Sequence, residues 1–376
     1  MERASVPRRA LIVSADIGEG HNAAGRALQE AIARVWPGCR VGWLDALAAL
    51  GPGFGGLARG FYVTQVQRTP RMYEFFFSAM WRHGWYLEST RQGMGQWFGR
   101  RMHAPIRAFD PDLIISTYPL GSAGLSWLRR HRQLSVPAGA WVPAFCPHPS
   151  WLYRNLDITY VMHRCALQVA VKAEPGLRVA VGALPVQDAF APADQAAARA
   201  RLGVDAGGFV AVVCAGSLGL GRVGDALSAV LAVSPGVQVV VVCGRNEALR
   251  QELAGRGEPP GRVRVLGWTE DMPDWMTAAD VVIGNAGGAT GLEAVACGRP
   301  LVLFDPIAGH GLANAQLMAS AGLAVLARSP AELTAAIRRM IRNPAARAGH
   351  AAAALAAAAG RRREDDLAEL AAMIGR

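Results

Sequence analysis

Short apolar runs alternate with stretches of helical periodicity along most of the chain. The runs are rich in valine, isoleucine, leucine and alanine, and the stretches between them place apolar residues three or four positions apart, as on one face of a helix. This alternation is typical of parallel sheets covered by helices. The predicted strands are residues 11–14, 41–44, 113–116, 138–142, 158–161, 179–181, 209–214, 237–243, 263–266, 281–283 and 300–304.

A proline-containing stretch, GALPVQDAFAPAD, separates the first six predicted strands from the last five. The pattern therefore predicts an α/β protein with two doubly wound, Rossmann-like domains that face each other across a cleft, because ligands of such folds bind at the carboxyl ends of the strands. The alanine-rich tail is predicted to be helical from its propensity alone. The expected parts are an N-terminal domain 1–183, a linker 184–194, a second domain 195–345 and a C-terminal helix 346–376.

Length and composition favour a globular protein of enzyme size. The chain has 376 residues, of which 52% are hydrophobic and 18% charged, enough for a sizeable core. Its formal net charge of +10 favours an acidic partner such as anionic lipid, nucleotide or nucleic acid. No apolar stretch is long enough for a spanning helix, and the first basic residues precede too few apolar ones for a signal peptide. The six cysteines form no C-x-x-C pair and are expected to be core thiols of a cytoplasmic protein.

A glycine-rich turn, ADIGEGH, joins the first predicted strand to a helix. Gly18 and Gly20 allow a ligand to approach the backbone closely, and the start of the helix favours anions. His21 is expected at the mouth of this crevice, at the end of the loop. The alternative is that His21 only caps the helix or holds the loop.

The second half contains another glycine loop, in GNAGGATGLEA. Backbone N–H groups of Gly287 and Gly288, with the Thr290 hydroxyl, would meet a diphosphate at a helix N-terminus. Glu293, one turn further, has the acceptor oxygens to bind two neighbouring ribose hydroxyls. The alternative is a loop that merely turns, with Glu293 stabilising the helix dipole; the whole string favours a nucleotide-diphosphate site.

These motifs and five others resemble the GT-B glycosyltransferases of family 28, in the branch of monogalactosyldiacylglycerol synthase and processive diacylglycerol glucosyltransferase. The other stretches are PDLIISTYPLG from Pro111, PHPSWLYRNLDITYV from Pro147, GALPVQDAF, VVVCGRNEAL from Val240 and VLGWTEDMPDWMTAADVVIG from Val265. They follow the family's order over most of the chain. The resemblance implies a GT-B fold and an inverting transfer of a hexose from a UDP-sugar to a lipid hydroxyl at a membrane surface. The preferred acceptor is diacylglycerol.

The resemblance also implies roles for individual residues. His21 is the expected base or the residue that orients the acceptor, and Arg245 and the helix dipole would neutralise the leaving UDP without a metal or another cofactor. The expected donor-binding residues are Ser217, Gly244, Arg245, Asn246, Trp268, Thr269, Gly287, Gly288, Thr290, Glu293, Gly309, His310 and Asn314. The expected acceptor-side residues are Gly18, Gly20, His148, Trp151 and Asp157, with His148 and Asp157 as alternative bases.

Three departures from the family pattern leave the substrates open. Residues 308–311 read Ala-Gly-His-Gly where the family usually has a proline-glycine-glutamine-glutamate stretch that contacts the donor sugar. Pro143 and Ala144 precede Phe145 where the family often has threonine-aspartate, and Asn285 stands where many members have a basic residue. The identity of the sugar therefore stays open. A polyprenyl-linked or small natural-product acceptor is one alternative, and a nucleotide-sugar-binding protein without transferase activity is another.

Residues 54–109 interleave aromatic residues with arginines. This mixture suits the interface of an anionic membrane, and with the resemblance it predicts a peripheral protein on the inner face of the cell membrane. The alternative is that the aromatic side chains pack inside the domain and the arginines are solvated. Nothing else in the chain indicates a nucleic-acid partner. The expected membrane-contact residues are Arg59, Arg68, Arg71, Trp81, Arg82 and Trp85.

Overall fold

A computed structural model describes residues 6–259 and 261–375. The chain divides into two compact units, Met1–Gln187 with Gly360–Arg376 and Asp188–Ala359. The first division falls inside the predicted linker 184–194. Residues 1–5 of the predicted N-terminal domain and residue 376 of the predicted C-terminal helix lie outside the described residues.

The first unit is built around a parallel sheet, of which the described residues form six strands in the order β2-β1-β3-β4-β5-β6. The strands are β1 (Arg9–Ser14), β2 (Arg40–Asp45), β3 (Leu113–Ser116), β4 (Ala138–Trp141), β5 (Ile158–Val161) and β6 (Val179–Val181). The helices before the crossover to the second unit are α1 (Glu19–Val35), α2 (Phe54–Arg68), α3 (Pro70–Arg82), α4 (Gly84–Phe109), α5 (Pro119–Arg130) and α6 (Arg164–Ala173). Every residue of β3, β4 and β5 is buried, which explains their almost continuous apolar sequences.

The second unit also contains a parallel sheet, with its described strands in the order β12-β11-β10-β7-β8-β9. Its strands are β7 (Phe209–Cys214), β8 (Val237–Val242), β9 (Val263–Leu266), β10 (Val281–Gly284), β11 (Leu301–Phe304) and β12 (Val325–Ala327). Its helices are α7 (Gln195–Leu202), α8 (Val223–Leu231), α9 (Glu247–Ala254), α10 (Met272–Ala278), α11 (Ala289–Ala296), α12 (His310–Ser320), α13 (Pro330–Arg342) and α14 (Pro344–Ala358).

All eleven predicted strands are confirmed, and β12 is the strand that the sequence pattern missed. It has three residues, too few for periodicity to distinguish it from the neighbouring apolar loop. In both sheets the strand order reverses next to the first strand of the unit, between β1 and β3 and between β7 and β10. The loops that leave these strands at their carboxyl ends are the expected ligand positions of a doubly wound sheet.

The prediction of one helix over residues 346–376 is wrong. Helix α14 ends at Ala358, and a separate helix α15 (Arg363–Ala371) follows in the first unit. Leu370 packs over Gly139 of β4, where a side chain's Cβ would lie 2.9 Å from the leucine methyl carbon. Acidic residues in its first turn favour the start of a new helix. Helix α15 therefore covers the sheet of the first unit, whereas the alanine-rich α14 belongs to the second.

Helices α2, α3 and α4 follow one another after the second strand of the first unit. Residues 54–68 and 70–82 are all described, and none of them is buried. Helix α4 packs closely on α5, since a Cβ on Gly124 would lie 3.0 Å from the backbone nitrogen of Gly99. Within residues 6–259 and 261–375, no helix has both the length and the apolar character needed to cross a membrane.

Candidate active site

His21 lies at the strand-order reversal of the first sheet, but in the helix and not in the loop. Helix α1 begins at Glu19, so Gly20 and His21 belong to its first turn, and Gly18 is the extended residue before it. The loop after β1 is thus shorter than the glycines indicated. The helix start brings the imidazole next to the residues that follow β3.

A backbone carbonyl fixes the tautomer of His21. Its Nδ1 lies 2.7 Å from the carbonyl oxygen of Thr117, and a carbonyl only accepts, so Nδ1 carries the proton. The Thr117 hydroxyl in turn donates to the carbonyl of His21 at 3.0 Å. In the neutral imidazole the lone pair therefore resides on Nε2, the form that a general base requires.

Aromatic side chains surround this imidazole. The ring of Tyr118 is 5.1 Å from that of His21 in an edge arrangement, and the ring of Trp151 is 5.8 Å away. Both are buried, and burial raises the pKa of the Tyr118 hydroxyl. The structure thus brings the predicted Trp151 to His21. It adds Thr117 and Tyr118, which sequence reasoning missed although they follow β3 in the STYPLG stretch.

His148 does not supply an alternative base. Its Nδ1 accepts from the Ser150 hydroxyl at 2.8 Å and from the Ser150 backbone N–H at 3.2 Å. Its Nε2 then carries the proton and donates to the carbonyl of Phe77 at 3.1 Å. Since both ring nitrogens are bonded and the side chain is buried, the predicted proton-accepting role is not available to it.

Asp157 lies at the wrong edge of the sheet for the predicted acceptor-side role. It directly precedes β5, and its carboxylate accepts the N–H of Ala138, the first residue of β4, at 2.8 Å. The same oxygen pairs with Arg129. Because all strands of this sheet are parallel, Asp157 stands at their amino ends and His21 at their carboxyl ends.

In the second unit, the loops after β7 and β10 meet at the strand-order reversal. The Asn285 side chain donates to the carbonyl of Leu220 at 2.6 Å and so joins the two loops. Gly221, with φ of 93°, makes room for it, because a Cβ there would lie 2.4 Å from the asparagine nitrogen. Asn285, the predicted departure from the basic residue of many family members, is therefore a bridge between the two loops.

The predicted diphosphate loop runs from β10 into α11. Gly287 has a φ of 59°, and a Cβ on Gly288 would meet no atom within 4 Å, so the backbone at the start of α11 is open to a ligand. Thr290 lies in the first turn of that helix. Glu293 is close enough to Cys214, at the end of β7, that its carboxylate adds to the effect of burial in raising the pKa of the thiol.

Ser217, Gly244 and Arg245 come together where the loop after β8 contacts the loop after β7. The backbone N–H of Arg245 donates to the carbonyl of Ser217 at 2.9 Å. Only glycine fits at position 244, since its φ is 61° and a Cβ would lie 2.3 Å from the carbonyl oxygen of Gly216. Asn246 instead caps α9, accepting from Leu249 at 3.0 Å, so its side chain supports the loop.

Arg245 stacks on an aromatic ring. Its guanidinium carbon lies 3.9 Å from the ring centroid of Trp268, which is 48% exposed. The hydroxyl of Thr269 accepts the N–H of Asp271 at 3.1 Å, just before α10. The structure therefore joins Arg245 and Trp268 in one polar and aromatic surface, and Thr269 shapes the turn beside it.

The loop after β11 reaches the same edge. Gly309 has a φ of 70° and precedes α12, and the buried Asn314 donates from its amide to the carbonyl of Ala286 at 3.1 Å. Desolvation lowers the pKa of His310 to about 4, so its imidazole is neutral at physiological pH. Among the residues that the structure describes, no three His, Cys, Asp or Glu side chains are grouped as metal ligands would be.

Two family models match this chain in turn. Residues 21–176 match monogalactosyldiacylglycerol (MGDG) synthase, and residues 210–343 match glycosyl transferases group 1. The chain is a GT-B glycosyltransferase. The first match covers the unit that holds His21 and the second covers the glycine loops, so the predicted fold and the predicted family resemblance are both confirmed.

Two curated relatives show how far the similarity of this glycosyltransferase extends. A probable monogalactosyldiacylglycerol synthase 2, chloroplastic, of Oryza sativa subsp. indica is 27% identical over 366 residues, covering 90% of this chain and 74% of the relative. A processive diacylglycerol beta-glucosyltransferase of Bacillus cereus (strain AH187) is 28% identical over 254 residues, covering 65% of this chain and 64% of the relative.

Solved structures share the fold of this glycosyltransferase. Anabaena HepE in complex with UDP-glucose has a TM-score of 0.56 at 17% identity, covering 96% of this chain and 98% of the other. CalG4, the calicheamicin glycosyltransferase, has a TM-score of 0.61 at 16% identity, covering 98% and 99%. At these identities the likeness shows the fold alone.

Helices α2, α3 and α4 carry much of the exposed apolar surface of the glycosyltransferase. Nine of the fourteen large apolar side chains that are exposed among the described residues lie on them. We call these nine the apolar surface: Leu57, Phe61, Met72, Phe75, Phe76, Trp81, Trp85, Met94 and Trp97. The alternative of complete internal packing is therefore wrong for this set.

The arginines of the same region have different surroundings. Arg68 of α2 and Arg71 and Arg82 of α3 are exposed on helices that also carry part of the apolar surface. Arg59 instead donates to the carbonyl of Asp16 at 2.9 Å and pairs with its carboxylate, which fastens α2 to the loop after β1. Arg91 is partly buried and bonded to Glu174 at 2.7 Å.

Proposed function

We propose that this glycosyltransferase moves a hexose from a UDP-sugar to the hydroxyl of diacylglycerol at a membrane surface, with inversion at the anomeric carbon. The observation that carries the proposal is the tautomer of His21, whose Nδ1 proton is held by Thr117. The names of the two curated relatives support diacylglycerol as the acceptor, and the UDP-glucose complex of HepE supports the donor class.

The donor is bound by the second unit in this proposal. The backbone of Gly287 and Gly288, the Thr290 hydroxyl and the dipole of α11 bind the diphosphate, and Glu293 accepts hydrogen bonds from the ribose hydroxyls. The loop that contains Gly309 and His310 lies beside them and contacts the sugar. As the bond between the anomeric carbon and the phosphate oxygen breaks, these groups stabilise the negative charge that stays on UDP. The proposal requires no metal.

His21 performs the acid-base step. The acceptor oxygen forms a bond to the anomeric carbon on the face opposite UDP, and its proton passes to Nε2 of His21. The bond from Nδ1 to the Thr117 carbonyl persists and stabilises the imidazolium that results. Tyr118 and Trp151 limit the access of water to the ring, which favours transfer to a hydroxyl of a lipid over hydrolysis of the donor.

The apolar surface of α2, α3 and α4 gives the protein its membrane contact. Apolar patches of this kind on a soluble chain mark interaction sites, and tryptophans and arginines together suit the headgroup region of an anionic bilayer. The exposed Arg68, Arg71 and Arg82 of α2 and α3 supply positive charge on the same helices. We place the enzyme at the inner face of the cell membrane as a peripheral protein.

Product analysis tests the reaction. The protein is incubated with UDP-glucose or UDP-galactose and with vesicles that contain diacylglycerol, a polyprenyl phosphate or neither, or with a soluble phenolic acceptor. We expect a hexosyl-diacylglycerol by mass spectrometry, and only when both substrates are present. A product formed solely from the polyprenyl or soluble acceptor contradicts the proposed acceptor, and UDP binding without any product contradicts transferase activity.

A further inference from the structure

His148 connects a surface helix to the turn beside the catalytic histidine. Its ring stacks on Phe77 of α3 at a centroid distance of 4.0 Å and meets Trp81 edge-on at 5.6 Å. Its Nε2 donates to the Phe77 carbonyl, and the residue itself starts the 3-10 turn Pro149–Trp151. One buried side chain thus contacts both elements.

Helix α3 lies at the surface of the first unit. None of its residues is buried, and four of them, Met72, Phe75, Phe76 and Trp81, belong to the apolar surface. Trp81 is 39% exposed, and its ring also meets that of His148. Burial of its exposed apolar side chains in a bilayer would favour the positions of α3 in which they reach the acyl region.

Hydrogen bonds hold the turn on the other side of His148. Trp151 donates its N–H to the carbonyl of His148 at 2.9 Å. Arg91 of α4 donates to the carbonyls of Pro149 at 2.8 Å and Leu152 at 2.6 Å. Because His148 starts this hydrogen-bonded turn, its position is linked to that of the Trp151 ring, which lies 5.8 Å from the ring of His21.

We propose that His148 is a positioning residue that couples the contact of α3 with a membrane surface to the placement of Trp151 against His21. The inference rests on the proposed membrane contact and on the proposed role of His21. Its consequence is that acceptor in a bilayer is used faster than the same headgroup offered in solution, beyond what local concentration explains.

The test compares two ways of presenting the acceptor. Initial rates are measured with diacylglycerol in anionic vesicles, and with a short-chain, water-soluble diacylglycerol in the presence and absence of acceptor-free vesicles of the same lipid. Acceptor-free vesicles should stimulate the soluble reaction of the natural enzyme. In His148→Ala we expect this stimulation to fall at least about fivefold, the lower end of ordinary coupling between sites.

Two variants control for a merely structural effect. His163 is a matched histidine, because it starts α6, accepts the N–H of Cys165 at 3.3 Å and stacks on Phe145, but belongs to neither α3 nor the turn. His163→Ala should keep the stimulation. His148→Gln keeps a donor for the Phe77 carbonyl and should restore part of it, with the KM for the UDP-sugar unchanged in all variants.

The outcomes separate this inference from the proposed function. Equal stimulation in the natural enzyme and in folded His148→Ala overturns the coupling and leaves the reaction intact. A natural enzyme that transfers to soluble diacylglycerol without any stimulation by vesicles overturns the coupling and leaves the proposed reaction intact. An equal loss of stimulation in His163→Ala shows a general loss of structure and also overturns the specific role of His148.

Discussion

Glu293 is the side chain on which the proposed donor site depends most. It lies one turn into α11, the helix that follows the open backbone of Gly288. Its negative charge contributes to the raised pKa of the Cys214 thiol at the end of β7. This is the place at which a doubly wound sheet binds a nucleotide. In the proposed site, the carboxylate would accept hydrogen bonds from both ribose hydroxyls.

We expect Glu293→Ala to weaken UDP binding by about 1.5–3 kcal/mol for each charge-assisted hydrogen bond that is lost. Isothermal titration calorimetry of UDP measures the effect directly. Glu252→Ala is the matched control, because Glu252 lies in the same unit on α9 and is mostly exposed, in an ion pair with Arg256. Unchanged UDP affinity in a folded Glu293→Ala protein would remove the residue from the site.

The candidate residues differ in how well sequence could place them. His21 follows a strand and a glycine turn, so its edge of the sheet was predictable, whereas the helix start at Glu19 was not. Asp157 precedes its strand, and that order alone assigns it to the opposite edge. The surroundings of His148 were not predictable. Its Nδ1 is bonded to the nearby Ser150, but its Nε2 is bonded to Phe77, 71 residues earlier in the chain, and no local pattern reveals that contact.

At the scale of elements, the strands were predictable because both faces of each sheet are covered and select long apolar runs. Helix α15 was not, because the alanine-rich tail has helix propensity throughout and does not show where the chain turns. In the structure, α15 belongs to the first unit, and its Leu367 and Leu370 are buried. Its carboxylates explain the return: Asp366 accepts the N–H of Ala183 at 2.7 Å, and Glu364 pairs with Arg34 of α1 at 2.7 Å.

The buried carboxyl of Asp366 makes this attachment dependent on pH. Burial raises its pKa from an ordinary 3.8 to about 7, although the Ala183 N–H and Arg361 act in the opposite direction. Because the folded state holds the proton more tightly than the unfolded state, this group stabilises the fold at acidic pH and that contribution is lost as the pH rises from about 4 through 7.

We therefore expect the free energy of unfolding of the natural protein to fall relative to that of Asp366→Asn between pH 5 and pH 8. The steepest relative change should be about 1 kcal/mol per pH unit. Urea denaturation at several pH values measures it, with replacement of the mostly exposed Glu252 of α9, Glu252→Gln, as control. A difference between the two proteins that stays constant with pH would show that Asp366 does not titrate in this range.

The whole molecule combines two sheets that present different chemistry at their carboxyl ends. The first carries an imidazole whose tautomer is fixed by Thr117, and the second carries glycine loops and a helix start suited to a diphosphate. The two family matches follow the same division along the chain. Sequence motifs predicted this division, since each half has its own glycine turn between a strand and a helix. They left the sugar open, because the Ala308 to Gly311 stretch departs from the family pattern.

The most direct test of the account is the effect of His21→Ala on turnover and on UDP binding, measured on the same preparation. General-base assistance contributes typically about 10²–10⁴ in rate, so we expect kcat with vesicle diacylglycerol to fall by about that factor. UDP affinity should be unchanged, because the proposed UDP ligands all belong to the second unit. His131→Ala, an exposed histidine at the end of α5, should keep full turnover. Near-normal turnover in His21→Ala would contradict the account and reduce His21 to a residue that only supports the start of α1.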